Sequence, residues 1–167
     1  MKKSKKIFVL VGEESGDIIA SDLIHEIKIQ NRDKFDLKFY GVTGPRMKSY
    51  GVSTIFDFTE INYLGVSEII SNFFSLKIKL NKLIKKIKII NPDILITVDA
   101  KLFSLSLARG LNKKNVSNNI KLVHVVLPTI WAHSPSRAYK WKKVFDLLVS
   151  IIPNEDNYFA NYDVKTV

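Results

Sequence analysis

Three groups of residues have the types and spacing for chemistry. The first is Gly12-Glu13-Glu14-Ser15-Gly16-Asp17, three carboxylates and a hydroxyl interleaved with two glycines. It offers hydrogen-bonding groups, and its glycines allow close backbone approach. It is not a phosphate cradle: the spacing fails the dinucleotide fingerprint, Glu13, Glu14 and Asp17 would repel a pyrophosphate, and no Gly-Lys-Ser/Thr follows. A plain loop ahead of a helix capped by Ser15 or Asp17 is the competing reading. The second group is Asp99, delivered by the apolar run Ile94–Val98 and followed by the apolar positions Leu102, Phe103, Leu105 and Leu107. A carboxylate there is costly to desolvate without a task or a partner, unless it merely caps the next helix. The third group is scattered. Arg46, behind Gly44-Pro45, is either a solvated charge or a phosphate or substrate contact. Trp131 either stacks on a ligand or plugs a sheet edge. His124 alternates with apolar neighbours and reads as a satisfied core histidine; His133 sits in a loop without a titratable cluster.

The elements that must position these residues alternate. Ile7–Val11 reads as a strand buried on both faces, behind a solvated Lys2-Lys3-Ser4-Lys5-Lys6 start. Ile19, Leu23 and Ile27 recur every four positions, as in an amphipathic helix. Further strands are expected at Leu37–Val42, Gly51–Phe56, Ile94–Val98, Ile120–Leu127 and Leu147–Ile152. Between them fall a short helix opened by Pro45, a turn over Asp57–Tyr63, a long helical region over Gly65–Ile90 and a helix through Leu102. A basic helix at Arg137–Val144 and a last helix from Pro153 to about Asn161 complete the series. Such alternation predicts an α/β, Rossmann-like three-layer domain with a mostly parallel sheet, one domain over 1–167. The loop at Gly12–Asp17 and the carboxylate Asp99 would then both stand at carboxyl ends of strands, where open α/β sheets bind ligands.

Composition narrows the class. With no cysteine, disulfides and thiolate metal sites are excluded, and no apolar run reaches the roughly 18 residues of a membrane span. A cytoplasmic protein is expected. The balance of 26 basic against 16 acidic residues, +10 overall, favours an acidic partner: nucleic acid, anionic lipid or a phosphorylated substrate. Much of the excess sits on one helix. Phe73, Leu76, Leu80, Leu83, Ile84 and Ile87 form a stripe, and Lys77, Lys79, Lys82, Lys85, Lys86 and Lys88 cover the rest. A core-packed helix with a solvated lysine face explains this; Phe74 and Ile78, off the stripe beside lysines, suit an anionic membrane surface. No nucleic-acid-binding pattern supports the first of these partners.

Four motifs in register carry a resemblance: Gly12-Glu13-Glu14-Ser15-Gly16-Asp17, Gly41-Val42-Thr43-Gly44-Pro45-Arg46-Met47, Asn91-Pro92-Asp93 running into Val98-Asp99-Ala100, and Pro128-Thr129-Ile130-Trp131-Ala132. In order and spacing the chain resembles the lipid-A-disaccharide synthase family. That family condenses UDP-linked diacylglucosamine with a lipid monosaccharide phosphate, lipid X, releasing UDP on the cytoplasmic side of the inner membrane. Its fold is two Rossmann-like halves facing across a cleft, and this chain looks like the N-terminal half of such a GT-B glycosyltransferase. The resemblance implies that Asp99 is the general base. It also implies that Gly12, Glu13, Ser15, Gly16 and Asp17 belong to the acceptor side of the cleft, with Arg46, Trp131 and Arg137 as further ligand contacts. Phe73, Phe74, Lys77, Ile78, Lys82 and Lys85 match its membrane-facing patch. No cofactor or metal is implied; the implied partners are the two lipid substrates, the inner-membrane surface, and a separate C-terminal half or a second copy. The UDP phosphates would belong to the nucleotide-binding half, outside this chain. Where the family commonly reads Asp-Ala-Pro-Asp-Phe-Asn, this chain has Asp99-Ala100-Lys101-Leu102-Phe103-Ser104; where it reads Ser-Pro-Ser-Val-Trp-Ala-Trp, this chain has Leu127-Pro128-Thr129-Ile130-Trp131-Ala132-His133.

Overall fold

The computed structural model describes residues 2–60, 73–127, 138–155, 157–160 and 165–167. Six parallel strands form one sheet: β1 (Lys3–Val11), β2 (Phe35–Thr43), β3 (Ser53–Asp57), β4 (Ile94–Val98), β5 (Lys121–Val125) and β6 (Leu147–Val149). The helices are α1 (Glu14–Asn31), α2 (Pro45–Ser49), α3 (Phe73–Ile90), α4 (Lys101–Lys113), α5 (Ala138–Lys142) and α6 (Asn157–Ala160). The spatial order is β3-β2-β1-β4-β5-β6, so the order reverses between β1 and β4. That reversal is where a doubly wound sheet opens a ligand crevice at the carboxyl ends of its strands.

The three layers follow from strand alternation. In β1, Phe8 and Leu10 join the core facing α3 and α4, with Leu83, Ile84, Ile87, Leu107 and Leu111; Ile7, Val9 and Val11 join the opposite core, with Ala20 and Ile24 of α1 and Met47 of α2. β1 buries both faces only from Ile7 onward, as its composition predicts. The strand nevertheless begins at Lys3, because the lysine segment pairs with β2 (Lys3↔Phe35 through Lys6↔Lys38) before β4 joins at Ile7↔Ile94. Asp93, just ahead of β4, closes that step by accepting from the Lys6 backbone N–H at 2.9 Å and pairing with Lys5. Those two contacts hold its carboxyl below the usual carboxylate range.

Several expected boundaries contract. β3 begins at Ser53 rather than Gly51, since Gly51 turns the chain out of α2 at φ +75°. β5 starts at Lys121 and ends at Val125, and β6 stops at Val149, short of the expected Ile152. Ile151 and Ile152 stand half-exposed beyond it. α5 ends at Lys142 rather than Val144, and within the described residues α6 covers Asn157–Ala160 of the helix expected from Pro153. Residues 165–167 return alongside β6: the Leu148 N–H donates to the Lys165 carbonyl at 3.0 Å, and the Ser150 N–H to the Val167 carbonyl at 2.7 Å.

Candidate functional site

At the switch point two loops lie side by side. Val11 and Val98 are register partners at the ends of β1 and β4, so Gly12 and Asp99 leave the sheet as neighbours. Gly12 is needed there: a Cβ on it would fall 2.7 Å from the Ala100 Cβ. Gly16 is packed less tightly, its added Cβ meeting the Val11 Cβ at 3.3 Å and the Val98 carbonyl at 3.4 Å. Glycines thus bring the first turn of α1 onto the end of β4.

Of the carboxylates in the first loop, Glu13 and Glu14 are exposed and Asp17 is fully buried. Glu13 is the N-cap of α1, in extended geometry and without a side-chain cap bond, which corrects the expectation of a Ser15 or Asp17 cap. The exposed Ser15 hydroxyl donates to Glu13 Oε1 at 2.6 Å. Asp17 is committed elsewhere. Its Oδ1 accepts from the backbone N–H groups of Gly44 at 3.0 Å and Met47 at 3.1 Å, and its Oδ2 from that of Arg46 at 2.9 Å. The reason is local: α2 has glycine at its N-cap and proline at its first position, so it has no side chain of its own to satisfy its opening N–H groups. A substrate-facing role for Asp17 is therefore corrected, because the carboxylate is sealed in a helix cap. Arg46, in the first turn of α2, leaves its own side chain exposed.

Asp99 is held differently. It and Ala100 both adopt left-handed backbone, at φ 50° and 46°, a consecutive pair that costs roughly 1–2 kcal/mol per residue. The Asp99 N–H donates to the Val125 carbonyl at 3.0 Å, and its own carbonyl accepts from the Ser104 hydroxyl at 3.1 Å. The N-cap of α4 is Ala100, so Asp99 does not cap that helix. Its side chain, 27% exposed, has one ionic neighbour among the described residues, Lys101 Nζ at 3.8 Å. Asp99 is thus an accessible carboxylate on a rigid, strained turn at the mouth of the crevice.

Beneath it lies a buried polar pair that the sequence did not reveal as such. Thr97 Oγ1 and His124 Nδ1 are 2.7 Å apart on register-paired strands, both fully buried. His124 packs on Trp141, ring centroids 4.4 Å apart. Burial first, and the Lys101 charge second, push its pKa down to about 3, so the ring is neutral. The expectation of a core histidine bonded inside the sheet holds at Nδ1; for Nε2, which is buried, no partner in full hydrogen-bonding geometry is found among the described residues. Val126, at the end of β5, adds another left-handed residue at φ 72°, a strained position for a β-branched side chain. Trp131 and Arg137 lie outside the described residues. Among those described, no group of three or more His, Asp or Glu could hold a metal. A cleft of about 370 Å³ opens at the opposite end of the sheet, lined by residues such as Asn118, Lys121, Lys143 and Asp146, and contains none of the candidate residues.

On α3 the expected stripe is buried at Leu83, Ile84 and Ile87. Lys77, Ile78, Lys82 and Lys85 are exposed, as expected of an outward face. The side chains of Phe73 and Phe74 lie outside the described residues. Ile78, Lys82, Lys85 and Ile89 follow i, i+4, i+7, i+11 spacing, and Ile78 and Ile89 are 56% and 77% exposed. No described helix is long and apolar enough to cross a membrane.

Comparison with known proteins extends this picture. Residues 7–167 match the family model of lipid-A-disaccharide synthetase. The chain is 32% identical over 163 residues to lipid-A-disaccharide synthase 2 of Legionella pneumophila (strain Lens), covering 98% of this chain and 40% of that protein. It is 35% identical over 157 residues to lipid-A-disaccharide synthase of Rickettsia bellii (strain OSU 85-389), covering 93% and 40%. Against the enzyme of that name from Chlamydia abortus it is 36% identical over 160 residues, covering 96% and 25%. The chain therefore spans well under half the length of these relatives. Among solved structures, UDP-GlcNAc 2-epimerase from Neisseria meningitidis bound to UDP-GlcNAc superposes with TM-score 0.61 at 11% identity, covering 97% of this chain and 45% of that one. A second UDP-N-acetylglucosamine 2-epimerase gives TM-score 0.61 at 15% identity, covering 99% and 44%. These likenesses establish a GT-B-like fold and nothing of the reaction. The near-complete family match, which spans both crevice loops, makes this chain a member of the lipid-A-disaccharide synthetase family.

Proposed function

We propose that this chain is the acceptor-side half of a lipid-A-disaccharide synthase, transferring diacylglucosamine from its UDP-linked donor to the lipid monosaccharide phosphate, with Asp99 as general base. The observation that carries the reading is the pairing of an accessible Asp99 with the exposed polar loop Glu13–Ser15 at the switch point, on either side of the Gly12–Ala100 contact. An acceptor hydroxyl placed against Asp99 loses its proton to the carboxylate as its oxygen attacks the anomeric carbon. The bond from that carbon to the UDP phosphate oxygen breaks, and UDP departs. Gly12, Gly16, Glu13 and Ser15 shape and hydrogen-bond the acceptor sugar, and Arg46, Trp131 and Arg137 provide further contacts. The acidity of the loop suits sugar hydroxyls and leaves the UDP phosphates to the remaining part of the relatives' length, supplied as a separate chain or continuous with this one.

The test mixes this chain with UDP-diacylglucosamine and lipid X, with and without the C-terminal portion of the Rickettsia bellii relative. Turnover is expected only in the mixture, and Asp99→Asn should lower kcat by roughly 10²–10⁴-fold. No turnover in either mixture sinks the enzymatic reading; normal turnover by the variant removes Asp99 as base.

The outward stripe of α3 favours one accompanying role. Ile78 and Ile89 inserted at a headgroup boundary, with Lys77, Lys82 and Lys85 reaching anionic phosphates, would seat the protein on the inner face of the inner membrane, where diacylated substrates reside. The family resemblance assigns Phe73 and Phe74 to the same patch. The same stripe would serve a non-catalytic lipid-binding module. Co-sedimentation with liposomes is expected to rise with anionic lipid content and to drop on Lys82→Glu/Lys85→Glu; indifference to lipid charge excludes membrane seating.

A further inference from the structure

We infer that Ser104 is a positioning residue for Asp99, and that its hydroxyl keeps the Asp99-Ala100 turn in its left-handed form. The kinetic part rests on the glycosyltransferase reading above; the conformational part does not. Asp99 and Ala100 are the only consecutive residues with positive φ among those described, and neither is glycine. Such a turn persists only if its surroundings over-determine it. Three contacts do so. The Asp99 N–H is fixed to β5 through the Val125 carbonyl at 3.0 Å. Gly12 leaves just enough room for Ala100 against the first loop. The Ser104 hydroxyl, one turn into α4, reaches back 3.1 Å to the Asp99 carbonyl.

The first two contacts fix the ends of the turn, and the third fixes the peptide between Asp99 and Ala100, whose orientation is shared by the ψ of Asp99 and the φ of Ala100. Ser104 is fully exposed to neither water nor the crevice: it is completely buried. A hydroxyl in that setting needs a partner, and the Asp99 carbonyl is the acceptor it has. A serine inside a helix would ordinarily bond the carbonyl four residues back, as the exposed Ser106 does with Leu102 at 2.8 Å. Ser104 instead skips Ala100, whose carbonyl takes the Ser104 N–H at 2.8 Å, and reaches five residues back to Asp99. The position is therefore built around the turn rather than around its own helix.

The experiment has two arms. In the isolated chain, NMR scalar couplings and secondary shifts of Asp99 and Ala100 report backbone handedness without any substrate. Ser104→Ala and the near-isosteric Ser104→Cys should both lose the left-handed signature, and Ser104→Thr should restore it. In the mixture with the relative's C-terminal portion, Ser104→Ala should lower kcat roughly 10- to 100-fold at unchanged KM, the penalty of a misplaced group rather than lost binding. Retention of the wild-type signature in Ser104→Ala overturns the inference, as does loss of the signature with wild-type kcat. If even the unmodified mixture is inactive, the glycosyltransferase reading falls while the NMR arm still decides whether Ser104 holds the turn.

Discussion

Two aspartates stand at the carboxyl ends of the same sheet and have opposite fates. Asp17 is fully buried and accepts three backbone N–H groups from the mouth of α2. Asp99 accepts no backbone N–H in its carboxylate among the described residues, remains partly exposed, and sits on strained backbone beside Lys101. The first carboxylate is consumed by the fold; the second is available to a ligand. What separates them is the supply of unsatisfied donors nearby. Gly44 and Pro45 leave α2 without its own cap, so Asp17 is drawn in, whereas α4 begins with Ala100 and offers Asp99 no comparable demand. Residue type is the same in both, and both follow a strand, Asp99 at once and Asp17 in the first turn of the next helix, so neither feature alone marks a catalytic carboxylate.

The comparison breaks most visibly at Asp17. Asp17→Ala strands three N–H groups, two of them on buried residues, and should cost about 3–5 kcal/mol of unfolding free energy. Asp17→Asn, which keeps one acceptor oxygen, should cost less. Urea denaturation followed by circular dichroism measures both, and a loss below about 1 kcal/mol for the alanine variant would return Asp17 to the list of groups free to meet substrate.

The next effect belongs to the polar pair under Asp99. His124 is held neutral in the folded protein with a pKa of about 3 against its ordinary 6.5. Between those values the unfolded chain binds a proton and the folded chain does not. Stability is therefore complete above pH 6.5 and declines as pH falls, by at most about 1.4 kcal/mol per pH unit. Asp57, lowered to about 2 mainly by Lys48, and Asp93, lowered by Lys5, also lose their contributions in acid, but only below the ordinary carboxylate range. Between pH 6.5 and 4.5 the difference between the parent and a variant lacking only this ring isolates the His124 imidazole, since every other titrating group is common to both. His124→Asn, which can still bond Thr97 but cannot titrate, should be less stable than the parent at pH 7.5 and should close that gap by pH 4.5. Parallel stability curves would show that the ring is not buried neutral.

The contrast also explains what could be read from the sequence. The β4 run Ile94–Val98 is apolar throughout and is followed at once by Asp99, so strand and carboxylate were legible together. The stripe Leu83, Ile84, Ile87 was legible because a 3.6-residue period is a local signal. Asp17 was misread because its partners lie 27 to 30 residues away, and only the missing cap at Gly44-Pro45 hinted that an acceptor had to come from elsewhere. Ser104 counted only as a departure from the family pattern, since a serine four residues into a helix carries no local sign that its hydroxyl reaches back past the helix start. The Thr97–His124 pair depends on β4 and β5 being neighbours in register, which the alternation of elements implies as a parallel sheet but does not specify residue by residue.

The smallest expected effect is the most discriminating. Asp99→Asn replaces a partly exposed carboxylate whose ionic contact with Lys101 is long and screened, and such pairs contribute at most about 1 kcal/mol. Asparagine also tolerates left-handed backbone better than almost any other non-glycine residue, so the turn at φ 50° is undisturbed. Stability should therefore change by less than about 0.5 kcal/mol, against several for Asp17→Ala. Asp99→Ala is a different measurement, because alanine has no short polar side chain to support the left-handed form and should lose roughly 1 kcal/mol more than asparagine does. If the two Asp99 variants are equally destabilised, the carboxylate itself is structural and the distinction from Asp17 collapses. If asparagine is neutral and alanine is not, the fold depends on the backbone of Asp99 while its charge is left over for chemistry.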